Sequence, residues 1–106
     1  MHHELGSPKN AARSAILKRA DEIADVLKAQ APADEANGTL TPETVTVLEK
    51  AGMFGLKLPA ALGGDEADPV TQILVLEALS NANASASYRW KLVTAGIGKA
   101  AYRGGA

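Results

Sequence analysis

Residues 40–64, LTPETVTVLEKAGMFGLKLPAALGG, hold the clearest helix start and stop signals in the sequence. Thr-Pro-Glu at residues 41–43 predicts a helix start, because threonine caps the first amides, proline suits the first helical position and an acid favours the positive end of the helix dipole. Gly52 predicts where that helix ends. Residues 53–62 are apolar but interrupted by glycine and proline, so we expect an extended, buried connector there. Gly63-Gly64 then predicts a surface turn.

A longer helix is predicted on the N-terminal side, over residues 11–30. Its apolar residues recur at spacings of three and four, which places them on one stripe: Ile16, Ala20, Ile23, Ala24 and Leu27. The charged residues fall mostly outside this stripe, and the acid pair Asp21 and Asp25 is interpreted as part of a solvated face without a catalytic role. Pro32 is expected to end or kink this helix.

Two more helices are predicted on the C-terminal side. Asp-Pro at residues 68–69 repeats the capping pattern and predicts the start of a third helix. That helix is apolar nearly all round and carries only one charge, Glu77, so we expect it to be buried on more than one side. Asn83 or Ser85 is expected to cap a fourth helix, which we predict at residues 88–101.

The composition is that of a single soluble domain, which we expect to be cytoplasmic. The 106 residues carry a formal net charge of −1, are 46% hydrophobic and include no Cys. Without Cys, disulfide frameworks, thiolate zinc sites and Cys nucleophiles are excluded, and the near-neutral charge argues against nucleic-acid binding. No apolar run reaches the roughly 20 residues of a membrane span. We expect a disordered or tag-like terminus at residues 1–10, with His2 and His3, and one helical domain at residues 11–106, with no metal site.

Two other functions remain open on these patterns. The apolar third helix is compatible with a stand-alone helical module that associates with itself or with another protein and has no enzymatic activity. Gly96–Ala101 (GIGKAA) is similar to half of a glycine-rich nucleotide loop, which would fit a small regulatory or nucleotide-binding protein. The acid that such a site needs for the ribose is absent after this segment.

Residues of about 15–86 resemble the N-terminal helical domain of the acyl-CoA dehydrogenase superfamily. The resemblance lies in four stretches, in this order: residues 19–36, 40–64, 68–77 and 83–86. In that family a helix ending in Gly leads into an apolar, proline-containing connector, then a Gly-Gly turn and a helix closing on an acid-Ala-Ser signature. The Ala-Ser segment is most similar to the branch that includes flavin-dependent monooxygenases.

The resemblance implies an all-α fold, a three- to four-helix, up-and-down-like bundle. It also implies a role as substrate-pocket wall and assembly domain of an FAD- or FMN-dependent oxidoreductase. In that family a middle β-domain and a C-terminal helical bundle supply most flavin contacts and the catalytic group, so we expect those domains to lie outside this chain. The chain alone is then expected to bind no cofactor and to be inactive. Its expected partner is a second copy or the missing flavoprotein domains.

The same resemblance places the pocket wall on the last helices. Where the family often has Gly-Trp after Ala-Ser-Ala, this chain has Ser-Tyr-Arg-Trp-Lys at residues 87–91. The candidate pocket-lining residues are therefore Tyr88, Trp90 and Thr94. The alternative role for these residues of the fourth helix is packing in the core of the domain. No catalytic residue is assigned.

Overall fold

The computed structural model describes the backbone of residues 8–104 and the side chains of residues 10–96. This part of the chain is all-α, as predicted, and contains no strand. It has five α-helices: α1 Pro8–Glu22, α2 Ala24–Asn37, α3 Pro42–Lys50, α4 Pro69–Ala82 and α5 Ala84–Gly104. Two short 3-10 turns, Met53–Gly55 and Ala60–Leu62, lie between α3 and α4. Most of the terminus predicted to be unstructured, including His2 and His3, lies outside the described residues.

The single N-terminal helix predicted over residues 11–30 is two helices in the structure. The chain turns at Ile23, whose φ of −99° and ψ of 0° interrupt the helical path between α1 and α2. Two arginines of α1 hold it against a later part of the chain: Arg13 pairs with Asp68 at 3.0 Å and Arg19 with Asp65 at 2.8 Å. We attribute the break to these tertiary contacts, because no glycine or proline stands at this point of the sequence.

Pro32 does not end α2, contrary to the prediction. It lies on the exposed side of the helix, which continues for five more residues to Asn37. Proline has no N–H to donate to the carbonyl of Lys28, so α2 continues past Pro32 with one intrahelical hydrogen bond fewer. The helix ends at Gly38, whose φ of +68° lies in the left-handed region that glycine adopts without strain.

The predicted caps of α3 and α4 are present. The Thr41 hydroxyl accepts a hydrogen bond from the Thr44 N–H at 3.2 Å, and a carboxylate oxygen of Asp68 accepts one from the Thr71 N–H at 2.8 Å. Each cap is followed by a proline at the first helical position. Asn83 fills the same role for α5, since its side-chain oxygen accepts from the Ala86 N–H at 3.0 Å.

The connector between α3 and α4 is folded into turns, whereas the sequence predicted an extended segment. Met53 and Leu56 are buried in the core, but residues 59–63 are exposed. The turns are closed by backbone bonds such as Leu62 N–H to the Pro59 carbonyl at 2.9 Å. A segment with glycine at its bends can satisfy its backbone groups locally, so it needs no extended partner.

Helices α2 and α4 form the centre of the domain. Helix α4 packs against α1, α2 and α5, and α2 also contacts α3. The buried side chains come from every helix: Ile16, Ala20, Leu27, Leu48, Val75, Leu79, Ala82, Ala86 and Trp90, with Met53 and Leu56 from the connector. Helix α4 is therefore packed on more than one side, although Val70 and Ile73 remain 52% and 64% exposed.

Helices α4 and α5 pack against each other and are joined by the single residue Asn83. The Ser80 and Ser87 hydroxyls lie 2.7 Å apart between the two helices. Helix α5 begins at Ala84, four residues before the predicted start, and continues through Gly96 and Gly98. A glycine in a helix interior costs only about 1 kcal/mol relative to alanine, so the two glycines weaken α5 without breaking it. Over residues 8–104, none of these helices combines the length and apolar character needed to cross a membrane.

Replacing Gly64 by Ala should destabilise the domain by about 1–3 kcal/mol, because the added methyl group would overlap the connector backbone. A Cβ at this position would lie 2.2 Å from the Leu58 carbonyl oxygen. Gly55→Ala is the matched control, since a Cβ there meets nothing within 4 Å. Urea unfolding of both variants measures the difference, and equal stability would contradict the close approach.

Candidate functional site: the groove beside Tyr88

Helix α5 divides its side chains between the core and the surface. Ala86, Trp90 and Thr94 are buried, whereas Tyr88 and Leu92 are exposed. At 100° per residue these two sets lie on opposite sides of one helix. The three predicted pocket residues are therefore not brought together, because Tyr88 points away from the side that holds the other two.

Trp90 attaches α5 to the connector. Its side chain is 2% exposed, and its indole N–H donates to the Met53 carbonyl at 2.8 Å. The Lys57 ammonium lies 5.5 Å from the centre of the indole ring, within the range of a cation–π contact. Thr94 is also fully buried, and its hydroxyl donates to the Trp90 carbonyl at 2.8 Å. In this chain both side chains have packing roles.

Tyr88 lies in a shallow groove between the start of α5 and the end of α2. The groove consists of two adjoining depressions of about 190 and 360 Å³, and both are lined by Glu35, Ser85 and Tyr88. The Tyr88 side chain is 61% exposed, so its ring is open to a partner or ligand. Arg89 closes one end, where its guanidinium donates to the Gly38 carbonyl at the end of α2. A cation is favoured there by the negative end of the helix dipole.

The carboxylate of Asp34 forms the floor of this groove and is itself 1% exposed. It accepts three hydrogen bonds: from the Thr41 N–H at 2.7 Å, the Thr44 hydroxyl at 2.8 Å and the Asn83 side-chain amide at 2.7 Å. The same Asn83 amide also donates to the Leu27 carbonyl at 2.9 Å. One carboxylate thus joins α2 to the start of α3 and to the α4–α5 connection.

These hydrogen bonds decide the charge state of Asp34. Burial alone would raise the pKa of its carboxyl, but the bonds from Thr41, Thr44 and Asn83 outweigh burial, and the pKa lies below its ordinary value. Asp34 is therefore ionised at neutral pH, with its oxygens occupied by donors of the fold. It is a structural group rather than a general base, since a base needs a free lone pair facing its substrate.

The second carboxylate with a lowered pKa, Asp68, is also used structurally. Hydrogen bonds from the Thr71 side chain and N–H, together with Arg13, hold the pKa of this carboxyl well below its usual range.

Among the residues with described side chains, no group of three or more His, Asp or Glu is placed to hold a metal ion. Because Asp34 is buried, the ionisable side chains of the groove that are open to a ligand are those of Glu35, Tyr88 and Arg89.

The sequence analysis missed Asp34. It stands among exposed residues of the Ala-Asp-Glu-Ala segment 33–36, and nothing in the helical spacing separates it from its neighbour Glu35. The one local signal was the pair of threonines at 41 and 44: the Thr41 hydroxyl caps α3, and the Thr44 hydroxyl donates to the carboxylate. The third partner, Asn83, is 49 residues away and could be placed only as a cap.

Asp34→Asn should lower the free energy of unfolding at pH 7 by about 2–4 kcal/mol, because the new NH₂ group would face hydrogen-bond donors. The lowered pKa of Asp34 gives the sign of the pH dependence. The carboxylate contributes its full stabilisation above the pKa of an unfolded aspartate, near 4, and this stabilisation is lost as the pH falls through the lower pKa of the folded state. The difference in the free energy of unfolding between wild type and Asp34→Asn should therefore become smaller towards pH 2.

Glu35→Gln is the matched control for this change, because Glu35 is the next residue of α2 and is exposed. It should alter the stability by less than about 0.5 kcal/mol. Chemical unfolding at pH 7 and below pH 3 measures both variants. An Asp34→Asn protein as stable as the control at pH 7 would show that the buried carboxylate is not needed.

Residues 10–105 match the family model described as "Acyl-CoA dehydrogenase, N-terminal domain". No curated protein and no solved structure matches the chain. The matched segment covers nearly the whole chain and includes all of the capped helices, the connector and the groove described above. The all-helical architecture is that expected for this domain, and the chain belongs to the family of acyl-CoA dehydrogenase N-terminal domains.

Proposed function

We propose that this chain is the pocket-wall and assembly domain of a flavin-dependent oxidoreductase of the acyl-CoA dehydrogenase type. The family match over residues 10–105 carries this proposal. The proposed cofactor is FAD or FMN, held mainly by other domains of the enzyme. Both the dehydrogenase and the monooxygenase branch are compatible with it.

The groove beside Tyr88 supports a pocket-wall role. It offers the ring of Tyr88 and polar groups of Ser85 and Glu35, which is the mixture of apolar surface and a few polar groups typical of ligand sites. Both depressions are shallow and open, so a buried ligand would need a second wall from another domain or chain. Trp90 and Thr94 would contribute indirectly, by fixing the orientation of α5.

A second candidate function is self-association without catalysis. The exposure of Val70 and Ile73 on α4 favours it, because these neighbouring apolar side chains form a small exposed patch of the kind found at interaction sites. This candidate predicts a dimer for the purified chain, whereas a pocket-wall domain alone can remain a monomer. Light scattering over a range of concentrations distinguishes the two.

A chimera tests the pocket-wall proposal. This chain would replace the N-terminal domain of a characterised acyl-CoA dehydrogenase, whose other domains supply flavin binding and catalysis. We expect the chimera to retain flavin and to be reduced by substrate. Tyr88→Ala should then raise KM several-fold with little change in kcat, because a wall residue contributes equally to ground-state and transition-state binding.

Val45→Ala on α3 is the control, since Val45 is 39% exposed but does not line the groove. A chimera that folds and binds flavin, but whose KM is the same with Tyr88→Ala as with Val45→Ala, would contradict the pocket-wall role. Stoichiometric flavin binding by the isolated chain, measured by calorimetry, would contradict the proposal that other domains hold the cofactor.

A further inference from the structure

The exposed side of α5 has the spacing of a helix-pairing seam. Ser85, Tyr88, Leu92 and Ala95 follow one another at intervals of three, four and three residues, the pattern of the a and d positions of a coiled coil. Tyr88, Leu92 and Ala95 are exposed and Ser85 is half-buried. At 100° per residue they form a stripe opposite the buried Trp90 and Thr94. We call these four residues the α5 seam.

Basic residues stand on both sides of the α5 seam. Arg89 follows Tyr88 and Lys91 precedes Leu92, which are the e and g positions that set partner choice in paired helices. Both are exposed, and each lies roughly 80° from the centre of the seam. The Arg89 guanidinium donates one hydrogen bond to the Gly38 carbonyl. It has five N–H donors, so others remain for a partner. No acid occurs in the sequence from Ala84 onward.

The two basic residues beside the α5 seam indicate what kind of partner can bind there. A second copy paired through the same seam would bring Arg89 and Lys91 against Arg89 and Lys91, and like charges at these positions repel. A helix with acidic side chains on both sides of its apolar stripe would pair with both cations. We propose that the α5 seam is a docking surface for such an acidic amphipathic helix, and that Leu92 is its central apolar contact.

This inference deepens the proposed assembly role and rests on it for its setting in the enzyme. It specifies what the partner domain must present: an apolar helical stripe with carboxylates on either side. The seam is only about three turns long over the described side chains, or roughly 15 Å at 1.5 Å per residue. We therefore expect weak binding when the partner helix is supplied as a separate molecule.

The test uses two synthetic three-heptad helices with the same Leu and Ile seam. One carries Glu at both flanking positions and the other carries Lys. Each is titrated into the ¹⁵N-labelled chain, and the amide chemical shifts report both the affinity and the place of binding. We expect the Glu peptide to shift residues 85–95 saturably, at least about tenfold more tightly than the Lys peptide, and less tightly at higher salt.

Leu92→Glu should weaken binding of the Glu peptide by at least about tenfold. Leu62→Glu is the matched control, since Leu62 is 60% exposed but lies in the second 3-10 turn, away from the seam. Because Leu92 is exposed, the variant should fold, and its amide spectrum checks this directly.

Equal binding of the two peptides, or shifts that map away from α5, would overturn the inference. Concentration-dependent shifts of residues 85–95 without any peptide would also overturn it, because a second copy would then be the occupant. None of these outcomes involves flavin, so they leave the retention of flavin by the chimera as a separate test of the proposed function.

Discussion

The carboxylate of Asp34 is buried where three parts of the chain meet. Removing an ionised group from water is costly, and the cost is offset only if its oxygens are fully hydrogen-bonded. Thr41, Thr44 and Asn83 supply those bonds, and they come from the start of α3 and from the α4–α5 connection. One carboxylate therefore connects each of these elements to α2.

The orientation of α5 follows from that contact. Asn83 caps the helix through the Ala86 N–H while its amide is held by Asp34 and by the Leu27 carbonyl, so the helix begins at a defined point and direction. Two turns later, the indole of Trp90 is bonded to the Met53 carbonyl, which prevents rotation about the helix axis. Because the first residue of α5 and the rotation of the helix about its axis are both defined, Tyr88 faces the groove and Leu92 faces outward. A helix fixed in this way can present a surface to another domain without rearrangement, which lowers the entropic cost of docking.

The sequence was informative where local chemistry decides the structure. The caps at Thr41, Asp68 and Asn83 depend on residues within a few positions of each other, and all three residues were predicted as cap candidates. The break at Ile23 was not predictable, because we attribute it to the distant partners Asp65 and Asp68, which spacing cannot show. The continuation of α2 past Pro32 and the folding of the connector into turns were not predicted either. For the candidate site, the sequence named three residues of one helix but could not tell which side of it each occupies: Trp90 and Thr94 are buried, and Tyr88 is exposed. Asp34 was not identified. A pocket role for any of the three predicted residues stays a prediction.

Asp34 and Asn83 are expected to make α2, α3 and the start of α5 one cooperative unit. Native-state hydrogen exchange measures this at single amides. We expect the N–H groups of Thr41, Thr44 and Ala86 to exchange only through global unfolding, with the same free energy of opening. Exchange of the Ala86 amide through a local opening of distinctly lower free energy, while Thr41 and Thr44 stay protected, would show that α5 is held independently and would contradict the claim.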